Sequence, residues 1–439
     1  MSSVLNSNGW KQADAIAEPN VKHQMYSYPP WDARNGLRGG PVSSYLPLAQ
    51  ANPNFELKLN TKVIRVVRDG ALATGIEVET SSGRRQIINV KTGGKVIISS
   101  GAMSNPRILF NSGIGPSDQI RTAGAGCAPI TLPQEQEWIN LPVGVGIKDH
   151  PIFELKFVTS NTTRSNFTTL PSTAFTSPSQ SDVELFRHGS GVLSQSGQRL
   201  IFWSSAPGPD GVTRFYQGTC APTTGGFKVK LYLTHGATSS GALTLDPSGT
   251  GSTVLSIDPL MNTEADRTAV ADFIDSFLAS VSNSSLISYA TGKTGTELIP
   301  TYVSGSHFVN SARMGLDDGR KNGTSVVDTD TKVYGMDNLF VVDASIHPDL
   351  PTGNTQAIVM VVAEKAAERI LALDDEEVIA IPAPCNGTAA PTGVVPTGVA
   401  PTGTGTAVRP TRTPVTRYTR PKGRRPRGPK ARRLAIFSE

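Results

Sequence analysis

The chain has 439 residues and a formal net charge of +5, and 38% of its residues are hydrophobic, which is compatible with a globular body and a polar tail. This length allows two domains, and no apolar run approaches the ~20 residues that a membrane-spanning helix needs. The three cysteines permit at most one disulfide bond, and without a Cys–Cys pair at metal-binding spacing the sequence predicts no zinc site.

The first 125 residues predict several strands and one helix. The helix begins after Ser104 or Asn105, either of which can cap its start, and Pro106 suits its first turn. Gly113 can end the helix. Apolar and β-branched runs predict strands at residues 55–67, 75–80, 86–90 and 95–99.

Residues 126–308 contain stretches in which apolar and polar residues alternate, which is typical of half-buried strands. The clearest examples are PIFELKFV, KVKLYLTHG and GALTLD. A helix is predicted at residues 265–281. The region therefore predicts an antiparallel sheet accompanied by a helix.

The next segment, residues 304–371, carries a histidine, a strand and a helix in that order. Residues 338–342 (NLFVV) form a short apolar run that predicts a buried strand, and Asp343 follows it directly. A helix is predicted over residues 356–371, because five apolar residues recur there at helical spacing. These residues are Ile358, Val361, Val362, Ala366 and Ile370.

The start of this helix and the preceding histidine suit redox chemistry on an alcohol. Asn354 or Thr355 can cap the helix, and its first amides favour a negatively charged group such as the pyrimidine edge of a reduced flavin. His307 is a candidate general base, since the ordinary pKa of histidine lies near neutral pH. A single histidine and a capped helix are both common structural features, so the pattern alone does not establish this chemistry.

The C-terminal tail carries most of the positive charge. From Asn386 onward there are eleven Lys or Arg residues and one acidic residue, Glu439. A Pro/Thr/Gly repeat from Pro391 to Gly405 predicts an extended linker, and the basic run after it predicts a disordered, solvated tail. Binding of a polyanion is the alternative, but the tail has too few aromatic residues for base stacking.

Three motifs, in order, resemble those of the glucose–methanol–choline (GMC) oxidoreductases. They are SSGAMSNPRILFNSGIGP at 99–116, LPVGVGIKDH at 141–150, and the segment at 304–371. Passages such as GWKQADAIAEPN and YPPWDARNGLRGGPVSSYL are most similar to the flavin domain of cellobiose dehydrogenases. The resemblance covers residues 9–373.

The resemblance implies an α/β (α+β) fold in which a domain of the FAD/NAD(P)-binding type carries a substrate domain built on an antiparallel sheet. The expected boundaries are 1–125 for a partial FAD-binding domain and 126–308 for the substrate-binding domain. Residues 309–373 return to the FAD-binding domain with the catalytic segment, and 374–439 form the linker and tail.

The resemblance also implies FAD as the cofactor and assigns roles by position. His307 resembles the catalytic base of the family. Asn354 resembles the second catalytic residue, which is His or Asn in the family. The implied cofactor-binding positions are Val63 at the adenine, Asp343 and Ala344 at the diphosphate and isoalloxazine, and Thr355 and Gln356 at the helix start.

Several positions depart from the family pattern or have a different interpretation. Gly305 and Ser306 stand where the family tends to have Ser-Asn. Gly189 stands where an arginine is expected, for which Arg187 or His188 can substitute. These departures weaken the implied preference for cellobiose. We interpret His150, in the KDH motif, as structural.

The sequence has no strand–GxGxxG–helix pattern of the kind that binds the FAD pyrophosphate. The chain begins MSSVLNSNGW, which resembles the interior of the family's flavin domain, so we expect a C-terminal part of a longer protein. Five Asn-x-Ser/Thr sites are compatible with a secreted, extracellular parent, although no signal peptide is recognised.

The sequence therefore predicts a GMC-type dehydrogenase in which His307 takes the hydroxyl proton of a sugar or other alcohol and the hydride passes to flavin N5. An oxidase of the same family is one alternative. The other is a non-catalytic fragment whose basic tail binds polyanions. We expect a monomer without membrane or nucleic-acid partners, and the electron acceptor stays open.

Overall fold

The computed structural model describes residues 1–34, 36–126, 130–160, 173–194 and 197–373. The predicted linker and basic tail, two of the three cysteines (Cys127 and Cys385) and three of the Asn-x-Ser/Thr sites lie outside the described residues. The third cysteine, Cys220, is buried as a free thiol. Among the helices in these described ranges, none has the length and apolar character needed to cross a membrane.

The helices of the described residues range from one turn to five turns. The two longest, α7 and α9, correspond closely to the predicted helices. The bounds are α1 Ser2–Ser7, α2 Pro41–Ser44, α3 Leu46–Gln50, α4 Asn105–Asn111, α5 Ser117–Ala125, α6 Gln180–Arg187, α7 Glu264–Ser282, α8 Gly295–Leu298 and α9 Gln356–Ala372.

The strands include most of those predicted, along with short ones that the sequence pattern did not indicate. The bounds are β1 Lys11–Gln12, β2 Met25–Ser27, β3 Ala33–Arg34, β4 Leu37–Arg38, β5 Thr61–Asp69, β6 Leu72–Thr80, β7 Arg85–Asn89, β8 Val96–Ile98, β9 Val145–Ile147, β10 Pro151–Thr159, β11 Leu200–Pro207, β12 Thr213–Thr223, β13 Gly226–His235, β14 Gly241–Leu245, β15 Thr253–Ile257, β16 Ile287–Tyr289, β17 Val303–Ser304 and β18 Leu339–Val341.

The largest sheet has the strand order β1-β2-β11-β12-β13-β10-β16, with β17 also paired to β10. All pairs in it are antiparallel except β1 with β2. Strand β10 alternates buried and exposed residues from Phe153 onward, so one face carries Phe153, Leu155 and Phe157 into the core. The predicted antiparallel sheet is confirmed for PIFELKFV and KVKLYLTHG, whereas GALTLD contributes β14 to a separate antiparallel sheet with the order β15-β14-β9.

Helix α7 covers this sheet. Its start is fixed by Thr263, whose side chain accepts a hydrogen bond from the backbone N–H of Asp266, and acidic residues in the first turn favour the helix dipole. Val270, Phe273, Ile274 and Phe277 lie on one face at helical spacing and enter the same core. Phe273 stacks on Tyr216 of β12 at a ring-centroid distance of 3.8 Å.

A second region contains the antiparallel sheet β5-β6-β7 and a parallel pair, β8 with β18. The predicted helix is α4, with Ser104 at its N-cap and Gly113, at φ +73°, after its end. One boundary was wrong: strand β5 begins at Thr61, because residues 55–60 do not join the ladder with β6. The core of this region includes Leu109, Phe110 and Leu339.

Helix α9 has the predicted length, but the predicted apolar face is only partly buried. Ala366 and Ile370 are buried, whereas Ile358 is 37% and Val361 is 62% exposed. The helix therefore packs through its C-terminal half, and its first two turns present apolar side chains outward.

Candidate active site

The structure brings His307 and Asn354 together, although 46 residues separate them in the chain. The side-chain amide nitrogen Nδ2 of Asn354 lies 3.5 Å from Nε2 of His307. His307 follows β17, and Asn354 lies just before α9. Two residues selected from sequence as a catalytic pair thus face each other at the junction of the two regions.

A buried carboxylate, Asp149, holds the turn that carries His307. Its Oδ1 accepts hydrogen bonds from the backbone N–H of His307 at 2.7 Å and of His150 at 2.8 Å. Its Oδ2 accepts from the backbone N–H of Ser306 and from the hydroxyl of Ser304. Asp149 is 2% exposed. The hydrogen bonds that it accepts compensate for the cost of burying its negative charge.

The turn before His307 depends on small residues. Ser306 adopts φ +56°, an uncommon conformation for a residue other than glycine. A Cβ atom on Gly305 would lie 3.0 Å from Nδ1 of His307 and 3.0 Å from the carbonyl oxygen of His150. The glycine that departs from the family pattern is therefore the residue that lets this turn pack closely against both imidazoles.

The imidazole of His307 lies against that of His150. Their Nδ1 atoms are 2.9 Å apart, and Nε2 of His150 lies 2.9 Å from the carbonyl oxygen of Thr234. His150 is fully buried. Burial, with repulsion from His307, lowers the pKa of His150 to about 3, so this residue stays neutral at physiological pH.

Burial also lowers the pKa of His307, and the negative charge of Asp149 opposes this shift. The net direction is downward, so the imidazole of His307 is neutral at pH 7 and can accept a proton.

A glutamine that the sequence analysis missed orients Asn354. Nε2 of Gln217 donates a hydrogen bond to Oδ1 of Asn354 at 3.1 Å. Gln217 lies on β12 and is 3% exposed. The sequence of β12, TRFYQGTCAPT, contains several polar residues, so nothing in it distinguishes Gln217 or indicates its partner 137 residues away.

A cavity of about 540 Å³ opens beside Asn354. This volume is ordinary for a small-molecule site. Its lining combines aromatic residues with carboxylates and amides, and it extends from the large sheet to α9. Lining residues include Trp31, Asp32, Tyr45, Trp203, Gln217 and Glu364.

The predicted cofactor-binding residues fall in three places. Val63 lies on β5, where its carbonyl oxygen accepts a hydrogen bond from Arg107. Asp343 and Ala344 follow the carboxyl end of β18. Thr355 is the N-cap of α9, and Gln356 begins the helix and donates to Asp32 at 2.8 Å.

The carboxylate of Asp343 is engaged by the protein itself. Its Oδ2 accepts from the backbone N–H of Gly101 at 2.7 Å and from Asn105 at 2.8 Å, and its Oδ1 accepts from the backbone N–H of Ser345 at 2.9 Å. Asp343 therefore ties the end of β18 to the loop before α4, so any contact of this segment with a cofactor falls to its backbone.

The start of α9 fits the electron-rich end of a flavin. Within the described residues, the N-cap Thr355 makes no side-chain hydrogen bond to the first turn, so donors of that turn have no capping side chain. Such amides, together with the helix dipole, favour an anionic group. In the same described ranges, no group of three or more His, Cys, Asp or Glu side chains is placed to hold a metal ion.

Comparison with known proteins identifies the family of the chain. Two family models described as GMC oxidoreductase match residues 6–152 and 237–363. An oxygen-dependent choline dehydrogenase of Burkholderia pseudomallei (strain 1710b) is 26% identical over 383 residues, covering 79% of this chain and 62% of the relative. A choline dehydrogenase of Sinorhizobium fredii is also 26% identical, covering 76% of this chain and 61% of the relative. The chain thus spans about 62% of the length of the curated relatives it matches.

Solved structures share the fold at low sequence identity. A formate oxidase variant from Aspergillus oryzae superposes with a TM-score of 0.68 at 19% identity, covering 86% of this chain and 70% of that one. An FAD-dependent oxidoreductase from Chaetomium thermophilum gives 0.65 at 18% identity, with 84% and 70% coverage. The expected mixed α/β fold is therefore confirmed.

Proposed function

The chain belongs to the GMC oxidoreductase family, and on that premise we propose that it is the catalytic part of an enzyme that oxidises the CH–OH group of an alcohol. The observation that carries the proposal is the approach of Asn354 Nδ2 to His307 Nε2 at 3.5 Å beside a cavity. FAD is the cofactor of this family, and when bound it supplies the hydride acceptor.

His307 accepts the hydroxyl proton. Its lowered pKa keeps the imidazole unprotonated at neutral pH, and the contacts of Asp149 fix its backbone. Asn354 presents an amide N–H toward the same point, so it can donate to the substrate oxygen and hold it beside the base.

We further propose that the alcohol is a carbohydrate, as in cellobiose dehydrogenases. The cavity is lined by Trp31, whose flat face suits the apolar face of a sugar ring, and by the largely buried Trp203. Asp32, Gln217 and Glu364 line the same cavity and offer hydrogen-bond partners for hydroxyl groups. Gly305 and Gly189 depart from the family pattern, so the proposal names a carbohydrate and does not specify cellobiose.

The decisive experiment replaces the base in the FAD-loaded enzyme. His307→Ala should slow flavin reduction by ~10²–10⁴-fold under anaerobic conditions, because loss of a general base typically costs that much. His23→Ala is the matched control, since His23 is exposed and hydrogen-bonded to Ser205, and it should leave the rate unchanged. Reduction of the His307→Ala flavin at the parent rate would refute the assignment.

The substrate proposal has its own test. Anaerobic flavin reduction with cellobiose, glucose, choline and an aryl alcohol ranks the donors. Fastest reduction by a sugar supports the carbohydrate proposal, and fastest reduction by choline or the aryl alcohol overturns it while leaving the role of His307 intact. Reoxidation of the reduced enzyme by O₂ or by a quinone then distinguishes an oxidase from a dehydrogenase.

A further inference from the structure

We propose that His150 sets the tautomer of His307, so that His307 carries its proton on Nδ1 and presents an unprotonated Nε2 toward Asn354 and the substrate. His150 is a positioning residue in this account. The catalytic meaning of the inference rests on the proposed function, whereas the tautomer itself is a property of the chain.

The carbonyl group of Thr234 decides which ring nitrogen of His150 carries the proton. A carbonyl oxygen only accepts hydrogen bonds, and it lies 2.9 Å from Nε2 of His150. That nitrogen therefore carries a proton. The opposite tautomer would place the lone pair of Nε2 against the carbonyl oxygen inside the protein, where two unpaired acceptors are costly.

His150 holds only this one proton. It is fully buried beside another imidazole, and burial keeps it neutral at physiological pH. A neutral imidazole that is protonated on Nε2 has a lone pair on Nδ1. His150 therefore offers an acceptor to its neighbour.

His307 must supply the donor for that acceptor. Its Nδ1 lies 2.9 Å from Nδ1 of His150, which is a hydrogen-bond distance. Two lone pairs facing each other at this distance would repel, so one of the two nitrogens carries a proton. The proton lies on Nδ1 of His307, and the neutral imidazole then has its lone pair on Nε2. This is the atom that faces Asn354 and can remove the substrate proton.

The hydrogen bonds on the other side of His307 run in the same donor-to-acceptor direction. Gln217 donates to Oδ1 of Asn354, which leaves the N–H groups of Asn354 to face Nε2 of His307. Each group therefore donates to the next in a single direction. Gln217 donates to Asn354, Asn354 to His307, His307 to His150, and His150 to the carbonyl oxygen of Thr234. The buried carbonyl of Thr234 at the end of the network fixes the polarity of the whole series, and the carbonyl of Pro351 is a second backbone partner of the His150 ring.

Nitrogen NMR on the full chain tests the tautomer directly. With ¹⁵N-labelled histidine, two-bond proton–nitrogen correlations distinguish protonated from unprotonated ring nitrogens. The chain has six histidines, and loss of one set of signals in His307→Ala assigns the residue. We expect His307 to be protonated on Nδ1 only. A His307 that is protonated on Nε2 in the unmodified chain overturns the inference whatever any variant does.

Two substitutions of His150 separate its ring atoms. His150→Asn places an amide oxygen near the position of Nδ1, so it keeps an acceptor for His307. His150→Gln places an amide N–H near the position of Nε2, so it keeps the Thr234 contact and loses that acceptor. We expect His307 to keep its tautomer in the Asn variant and to become a mixture in the Gln variant, with far-UV circular dichroism confirming that both fold. His188→Gln is the matched control and should change nothing.

The kinetic result follows in the FAD-loaded enzyme. His150→Gln should lower kcat by about 10–100-fold with little change in KM, the size typical of a partner that orients a catalytic group, and His150→Asn should lower it less. A Gln variant with unchanged tautomer and kcat overturns the inference. If His307→Ala retains flavin reduction while the NMR tautomer is as expected, the proposed function fails and the tautomer assignment stands.

Discussion

The large sheet with helix α7 and the region around β8, β18 and α9 bury their apolar residues to very different extents. Phe153 and Leu155 of the large sheet are fully buried. Ile97 of β8 is 51% exposed and Val361 of α9 is 62% exposed. Parallel strands are ordinarily covered on both faces. Strand β18, by contrast, is fully buried at Leu339, Phe340 and Val341. Among the described residues, the weakly buried part of the second region is therefore β8 and the first turns of α9, where individual contacts contribute more to stability.

Polar contacts fasten α9 where apolar burial is small. Gln356 donates to Asp32, Tyr45 donates to Glu364 at 2.6 Å, and Arg369 pairs with Asp330 at 2.9 Å. The active site includes residues from both regions. His307, His150 and Gln217 belong to the well-buried side, and Asn354 lies on the less-buried side. The base should therefore keep its geometry under conditions that disturb the position of Asn354.

The largest expected loss of stability comes from breaking the buried ion pair on the sheet side. Asp266 and Arg214 are both 0% exposed and 2.7 Å apart, and Asp266 also accepts from the backbone N–H of Ser239. Asp266→Ala should lower the free energy of unfolding by about 3–5 kcal/mol, since it leaves a buried guanidinium with fewer partners. Urea unfolding measures this value.

Glu264→Ala is the matched control for that substitution. Glu264 lies in the same first turn of α7, but it is 79% exposed and pairs with Arg267 at the surface. Its removal should leave the urea midpoint unchanged within error. Equal effects of the two substitutions would contradict the view that the sheet side is held by its interior.

Most local elements were predictable from sequence because their signals lie close together in the chain. The helix predicted at residues 265–281 is α7, Glu264–Ser282. His307 and Asn354 were found from a motif, and the structure brings them within reach of each other. Strand starts were less predictable: β5 begins where pairing with β6 begins, and pairing depends on residues elsewhere in the chain.

The supports of the site could not be predicted, because each joins residues far apart in sequence. Asp149 reaches His307 across 158 residues, and Gln217 reaches Asn354 across 137. Neither residue type indicates a partner. His150 looked structural for the same reason, since its hydrogen bonds to His307 and Thr234 exist only once the sheet has formed.

A second prediction contrasts two apolar residues of α9. Ile370 is 5% exposed, so Ile370→Ala should cost about 2–4 kcal/mol of unfolding free energy through lost burial and a residual cavity. Val361→Ala, on the same helix at 62% exposure, should change it by less than about 0.5 kcal/mol. Thermal and urea unfolding of both variants give the comparison. A large loss at Val361 would show that the first turns of α9 are covered after all.

The smallest predicted effect is the response of the sheet side to acid, which His150 should dominate. Its folded pKa of about 3 lies below the ordinary histidine value, so the unfolded chain binds more protons and stability falls as pH falls below about 6.5. Between about pH 7.5 and about pH 5, the residue should account for ~2 kcal/mol of lost unfolding free energy.

His150→Gln should flatten the pH dependence by that amount. His347→Gln, in the segment that follows β18, is the comparison: burial lowers the pKa of His347 too, with Asp343 opposing the shift, so it should flatten the curve less. Equal flattening by both variants would mean that acid sensitivity is shared between the regions.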